Sequence, residues 1–331
     1  MDKFSFYLQI LRLAPSRYSA NGDFNDHLKT LLDTYVQLID FLNPQDRCEK
    51  WDEIHDKIVF NCNTIIKTID LYYMGLFSES YNCLKEALET VPRTRIHQRF
   101  PMYKMRHVEN GCSPDHEGLF HISFSHRGKV PSNRFSAPGI PCLYMGLSAA
   151  ICWEELKRPN IQNTYISMFQ PQGHYGYINL NLPIFDSWHE RNGIIFVHDL
   201  QQFPFIIASM VHVAHNEDNF KPEYIIPQLI MQWVIDKRKD DNDNKNLGVF
   251  YSSIYFDYTD LYPNISRYTN VAIPAICNGE KHYSKKLSEL LPYTDPIRCD
   301  VVHTENTSID DTYWQDVEHL LQGKEVNELL Q

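Results

Sequence analysis

The sequence predicts an α+β protein in two parts: an all-helical domain over residues 1–92 and a mixed region over residues 93–331. Apolar residues recur at helical spacing through the first ninety or so positions, which marks amphipathic helices. From about residue 100 the texture changes to short apolar runs separated by turn residues, interleaved with helical patterns. A hydrophobic content of 43% with 22% charged residues is globular composition, and 331 residues suffice for a sizeable core.

In the first part, His27 to Leu42 places Leu28, Leu31, Leu32, Tyr35, Leu38, Ile39 and Leu42 on one stripe, and Asn43-Pro44 stops it. Ile54 to Leu71 repeats the pattern. Ser78 to Leu88 forms another helix after Met74-Gly75, and Val91-Pro92 ends it. These stripes account for the apolar residues of the segment, so it is expected to bury one face and to perform no chemistry. In the second part the strand candidates are Phe100 to Val108, Leu119 to Phe124, Cys142 to Met145, Thr164 to Phe169, Tyr175 to Leu180, Ile194 to Val197, Gly248 to Tyr255 and Val271 to Ile276. Helices are expected at Ser148 to Lys157, Phe205 to Asn216, Ile226 to Lys239 and Thr312 to Leu330, with a charged surface loop over 237–246.

Net charge is −11 and only 13 glycines occur, with neither G-x-G-x-x-G nor a P-loop. The acidic balance argues against nucleic acid or an anionic membrane as the main partner. The eight cysteines form no C-x-x-C pair, and no stretch of about 18 apolar residues occurs, so a cytoplasmic, membrane-free protein is expected. His212-x-x-His215 has helical spacing for a metal pair but implies no third ligand, so no metal is expected.

Three places carry candidate chemistry. Between Arg93 and Arg134 lie eight basic and three acidic residues, a local reversal of charge suited to an anionic small molecule. Lys104 and Arg106 share one face if that segment is a strand. The second place is a Pro/Gly-rich turn leading through Tyr144 to a helix with two adjacent carboxylates. Glu155 falls on the face of Ile151 and Cys152, while Glu154 is four residues from Arg158 and pairs outward. The third is the helix carrying Gln228, followed by the strand that ends in Ser252 and Ser253.

Together these places resemble the RES family, toxin components of many bacterial toxin–antitoxin pairs. The resemblance spans roughly residues 100 to 280. It rests on Tyr103-Lys-Met-Arg106, on Asn133-Arg-Phe-Ser-Ala-Pro-Gly-Ile-Pro-Cys-Leu-Tyr-Met145, on a Glu eleven residues after Tyr144, and on the Pro-Gln helix and Gly-Val-Phe-Tyr-Ser-Ser strand that follow. The helical domain resembles the HEPN-like extension of some members. The resemblance implies an ADP-ribosyltransferase-like split, mixed β-core that cleaves the nicotinamide N-glycosidic bond of NAD+, its substrate, with phosphate or water as acceptor and no resident cofactor.

By that resemblance Glu155, Arg106, Tyr144 and Ser253 are the catalytic candidates. Lys104, Arg106, Arg134, Tyr144, Gln228 and Ser252 are candidates for holding NAD+. A cognate antitoxin and a homo-oligomer are the implied protein partners. The chain departs from the family where Lys104 stands at the usual first arginine, leaving Lys104 or Arg106 for that role, and where Pro227 replaces a serine, leaving Ser252 or Ser253. The same cleft chemistry would serve a transferase that attaches ADP-ribose to a macromolecule. A non-catalytic binding protein is the alternative of another class.

Overall fold

Four helices open the chain in the computed structural model: α1 (Lys3–Leu11), α2 (Phe24–Asp40), α3 (Trp51–Tyr73) and α4 (Phe77–Thr90). The structure describes all residues except 48–49, 92–99, 110–112, 174, 190–193, 241–245, 262–267, 303–307 and 327–331. The boundary expected at 92/93 therefore lies outside the described residues, as do Arg93, Arg95 and Arg99; the C-terminal helix expected to run to Leu330 instead stops at Gln322, and residues 323–326 are not helical. The rest of the chain alternates: β1 (Met102–His107), β2 (Cys142–Gly146), α5 (Ala149–Glu155), β3 (Thr164–Phe169), β4 (Gly176–Leu180), α6 (Ile194–Ser209), α7 (Ile225–Asp240), β5 (Asn246–Ser252), α8 (Tyr258–Leu261), β6 (Thr269–Pro274), α9 (Lys285–Leu290), β7 (Ile297–Arg298) and α10 (Asp311–Gln322). The protein is α+β.

The seven strands form one mixed sheet in the order β4-β5-β6-β2-β1-β3-β7, with β4 and β5 parallel and the other neighbours antiparallel. Alternation along the strands divides its residues between two faces. Met102, Leu143, Met145, Val271 and Ile273 pack on one face beneath Leu287, Leu291 and Tyr293. The other face is shared. Leu180, Val249 and Ala272 join α1–α4, α6 and α7 in one buried cluster. Tyr103, Met105, Ile166 and Met168 pack under α5 and α10.

Between those two packed halves the sheet parts. β1 meets β2 at the single pair Tyr103↔Gly146, whereas β1 and β3 pair from Met102↔Phe169 to His107↔Thr164. Gly146 is required where the strands meet: a Cβ there would lie 2.3 Å from the Ile151 side chain and 2.8 Å from the Cys152 sulfur. The missing side chain lets α5 sit directly on the strand.

Two strand expectations are corrected. Ile194 to Val197 is the first turn of α6, and Leu119 to Phe124 is not a strand: it links the 3-10 turns His116–Leu119 and Phe124–Lys129. α6 also differs from the expected Phe205–Asn216 helix, because it runs through Pro204. A proline removes the donor that would bond the carbonyl four residues earlier. Here that carbonyl, Leu200, accepts from the Tyr35 hydroxyl at 2.8 Å, and Gln201 O accepts from Asn61 Nδ2 at 3.0 Å. The α2–α3 layer thus repairs a helix that the local sequence would break. Tertiary burial explains the misread β-like Ile-Ile-Phe-Val run, since Phe196, Leu200, Phe203 and Ile207 are all buried between that layer and the sheet.

Candidate functional site

The parting between β1 and β2 opens into a cleft of about 430 Å³, within the usual range for a small-molecule site. Lys104, Met105, Tyr144, Met145 and Gly146 line it from the two strands, Cys152 and Glu155 from α5, and Asn270 from β6. Tyr224, Tyr251 and Tyr255 add aromatic walls, and Asn133 and Arg134 reach in from the loop before β2.

Glu155 is the last residue of α5. Ser148 caps the helix by accepting from the Ile151 N–H at 3.2 Å, and the Ala149 N–H donates to Glu318 Oε1 on α10 at 2.6 Å. The helix therefore starts from two fixed points and ends with Glu155 over the sheet. Oε1 of Glu155 accepts from Asn270 Nδ2 at 2.6 Å, and the Ser253 hydroxyl also hydrogen-bonds the carboxylate. Burial pushes the Glu155 pKa up, while the bonds from Ser253 and Asn270 and the charge of Arg134 pull against it. Desolvation wins. The result is a carboxylate held by two neutral donors rather than by a salt bridge.

The neighbouring carboxylate behaves otherwise. Glu154 Oε2 pairs with Arg158 Nε at 2.8 Å on the outer side. The pair was expected on a continuous helix to Lys157, but the helix stops at Glu155, and Lys157 and Arg158 have φ values of 61° and 54°. The Lys157 and Arg158 N–H groups close this left-handed turn by donating to Glu154 O at 2.8 Å and Trp153 O at 3.0 Å, and the Arg158 guanidinium lies 5.7 Å from the centre of the Trp153 ring.

Of the two first-strand cations, Lys104 belongs to the cleft and Arg106 does not line it. Both lie on one face, as expected, and both bond the 3-10 segment below: Lys104 Nζ donates to Phe120 O and Arg106 Nη1 to Gly118 O, each at 2.9 Å. Arg106 is exposed, whereas burial pulls the Lys104 pKa down to about 8, which still leaves the ammonium protonated at neutral pH.

Arg134 lines the cleft but is itself buried, with two donors already used. Nη1 donates to Ser209 O and Nη2 to Val211 O at 3.1 Å, and its guanidinium stands 5.5 Å from the Tyr224 ring centre. It holds the end of α6 while contributing its charge to the site. The loop that carries it is braced from both sides. Tyr144 Oη donates to Ser136 Oγ at 3.0 Å and accepts from the Phe135 N–H at 3.2 Å. Gln228 Nε2 donates to Ser132 Oγ, Asn133 O and Ser136 O at 3.0, 2.9 and 3.2 Å. Gln228 is thus a loop brace outside the cleft lining, not one of its walls.

The serine alternatives separate as well. Ser252 Oγ accepts from the Leu182 N–H at 3.0 Å and lies beside Asn181, whereas Ser253 bonds Glu155. Two residues missed by sequence reasoning complete the site. Asn270 stands in the strand Thr-Asn-Val-Ala-Ile-Pro, where an amide is out of place, and that oddity was its signal. Its Cα partners are Gly146 and Tyr251, which places all three in one row across β2, β6 and β5. Tyr251 left no separate signal.

Other chemistry finds little support. The Cys152 thiol donates to Tyr103 O at 3.0 Å, and burial pushes its pKa up to about 12, which makes it a poor nucleophile. His212 and His215 fall beyond the end of α6, and His215 Nε2 contacts Ala20 O at 2.8 Å. Among the described residues no group of three metal-ligating side chains converges, and no helix is long and apolar enough to cross a membrane.

The fold and site define an α+β protein with a parted mixed sheet and a carboxylate-centred cleft. No family model matches the chain, and no solved structure matches it. The chain is similar to a Bacillus subtilis (strain 168) protein named Putative toxin YopC, with 29% identity over 300 residues. The match covers 83% of this chain and 66% of that protein, just under two thirds of its length.

Proposed function

We propose that this protein is a toxin of the RES type that depletes NAD+ by cleaving its nicotinamide N-glycosidic bond. The observation that carries the reading is Glu155: a desolvated carboxylate, oriented by Asn270 and Ser253, facing a cleft that also holds Lys104 and the charge of Arg134. Loss of nicotinamide develops positive charge on the ribose, and a fixed carboxylate beside that carbon stabilises it. Lys104 suits the pyrophosphate, with Arg134 adding positive field. Tyr144 and Tyr251 offer flat walls for the rings, and water or phosphate takes up the ribosyl carbon. The name of the Bacillus subtilis relative supports the toxin reading. An antitoxin that covers the cleft is the proposed partner.

The test is to incubate the full chain with NAD+, with and without phosphate, and to follow products by mass spectrometry. Nicotinamide release is expected, with ADP-ribose or its 1-phosphate as the other product. Intact NAD+ in a folded sample would overturn the reading. ADP-ribose found attached to a protein or nucleic acid would move the activity to a transferase.

A further inference from the structure

The connection between α1 and α2 is fixed against the end of α6. Ser16 forms a parallel bridge with Val211: its N–H donates to Met210 O at 3.2 Å, and the His212 N–H donates to Ser16 O at 2.9 Å. Two residues on, Tyr18 Oη donates to Oε1 of the buried Glu223 at 2.6 Å, and the next residue, Tyr224, is a wall of the cleft. Arg17 is held between these two anchors with an exposed side chain. No ion pair among the described residues uses it.

His212 joins Arg17 to the cleft. Its ring hydrogen-bonds the Ile254 backbone and stands 6.4 Å from the Tyr255 ring, and Ile254 and Tyr255 both line the cleft. Burial, with the charges of Arg17 and Arg134 nearby, pulls the His212 pKa down to about 4, so the ring is neutral at pH 7 and the positive charge around it is that of the two arginines. The Arg134 charge also bears on Glu155, whereas that of Arg17 does not. Outward from the carboxylate the order is therefore Glu155, Arg134, Arg17.

We infer that Arg17, contributed by the helical layer, binds the substrate phosphate farther from the reacting ribose, and so makes the cleft selective for a dinucleotide over a mononucleotide. This rests on the NAD+ reading of the cleft. A pyrophosphate needs more donors than the inner cations have to give: Lys104 is a single point charge, and Arg134 has committed donors on both terminal nitrogens to backbone carbonyls. The Arg17 guanidinium, exposed at the mouth, presents a planar fork that matches phosphate oxygens.

The test compares cleavage of NAD+ with that of nicotinamide mononucleotide, which lacks the outer phosphate and the adenosine, using the full chain. Wild type is expected to show the lower KM for NAD+. Arg17→Gln, at an exposed position, is expected to melt as wild type does. Its KM for NAD+ should rise roughly tenfold, the scale of one charged hydrogen bond at an exposed site, while its KM for the mononucleotide stays within about twofold of wild type. Arg17→Lys keeps the charge and should recover part of the loss. ADP-ribose, titrated by calorimetry, reads the same contact without turnover and should bind more weakly to Arg17→Gln by a similar factor. Equal changes in KM for the two substrates, or ADP-ribose binding that is absent or indifferent to Arg17→Gln, would overturn the role of Arg17. Wild type that leaves both nucleotides intact would instead overturn the cleavage reaction, and the ADP-ribose titration would still decide for or against Arg17.

Discussion

Buried polar groups serve different ends in the helical layer and in the cleft. In the layer they meet backbone: Tyr7 donates to Pro183 O at 3.1 Å, Tyr35 to Leu200 O, and Asn61 to Gln201 O. Each satisfies a carbonyl that packing took out of water, and each ties α1–α3 to the segment from residue 183 to the end of α6. In the cleft Lys104 and Arg134 also meet backbone carbonyls, but around the carboxylate side chains meet one another, with Glu155 held by Asn270 and Ser253. Polar groups spent on backbone hold shape. Side chains that converge on a cavity retain capacity for a ligand, and removing one should alter chemistry before it alters stability.

The largest effect is expected at Glu155. On the proposed reaction, Glu155→Gln keeps the shape and removes the charge that would face the developing cation, so NAD+ cleavage should fall at least about a hundredfold. Stability should move the other way. Burial raises the native pKa, so the folded state holds the proton more tightly than the unfolded chain does. That advantage is complete below the ordinary carboxylate range and is lost as pH rises through the raised value. At neutral pH the ionised group is therefore a cost. Glu155→Gln should melt at a higher temperature than wild type at pH 7, with the difference closing below about pH 4. A variant that melts lower at pH 7 would place Glu155 with the structural groups.

Asn270→Ala comes next. Its amide lowers the Glu155 pKa, so its loss should shift the acid limb of the pH–rate profile upward and reduce cleavage roughly tenfold, as for one charged hydrogen bond. A loss of rate without a shifted limb would mean that Asn270 acts on something other than the carboxylate. In the helical layer, Tyr35→Phe should show the opposite pattern. It leaves the Leu200 carbonyl buried without a donor, at a cost of about 1–3 kcal/mol in urea denaturation, with cleavage unchanged.

The same contrast explains what could be read from the sequence. The amphipathic periods of α2, α3 and α4 were legible because each helix buries one stripe. α6 was not, because it is buried over much of its surface and Tyr35 and Asn61, more than 130 positions away, support it across Pro204. At the site, helical spacing alone separated Glu155 from Glu154. The partners of Glu155 were hidden because Asn270 and Ser253 arrive from β6 and from just after β5, 115 and 98 positions on. Lys104 could not be told from Arg106 by alternation, since both share a face; only the parting of β1 from β2 distinguishes them.

The smallest effect is expected one residue from the largest. Glu154 pairs with an Arg158 side chain that is 63% exposed, so water competes for both partners and salt screens them. Glu154→Gln should cost no more than about 0.3–0.5 kcal/mol, fading at high ionic strength, with NAD+ cleavage unchanged. The left-handed turn at Lys157 and Arg158 gives this test its edge. If the ion pair is what holds that turn, its loss should increase amide exchange at 157–158 while leaving the exchange of the α5 amides intact. If exchange spreads along α5 and cleavage falls with it, then the outer pair also positions Glu155, and the two carboxylates work as one unit.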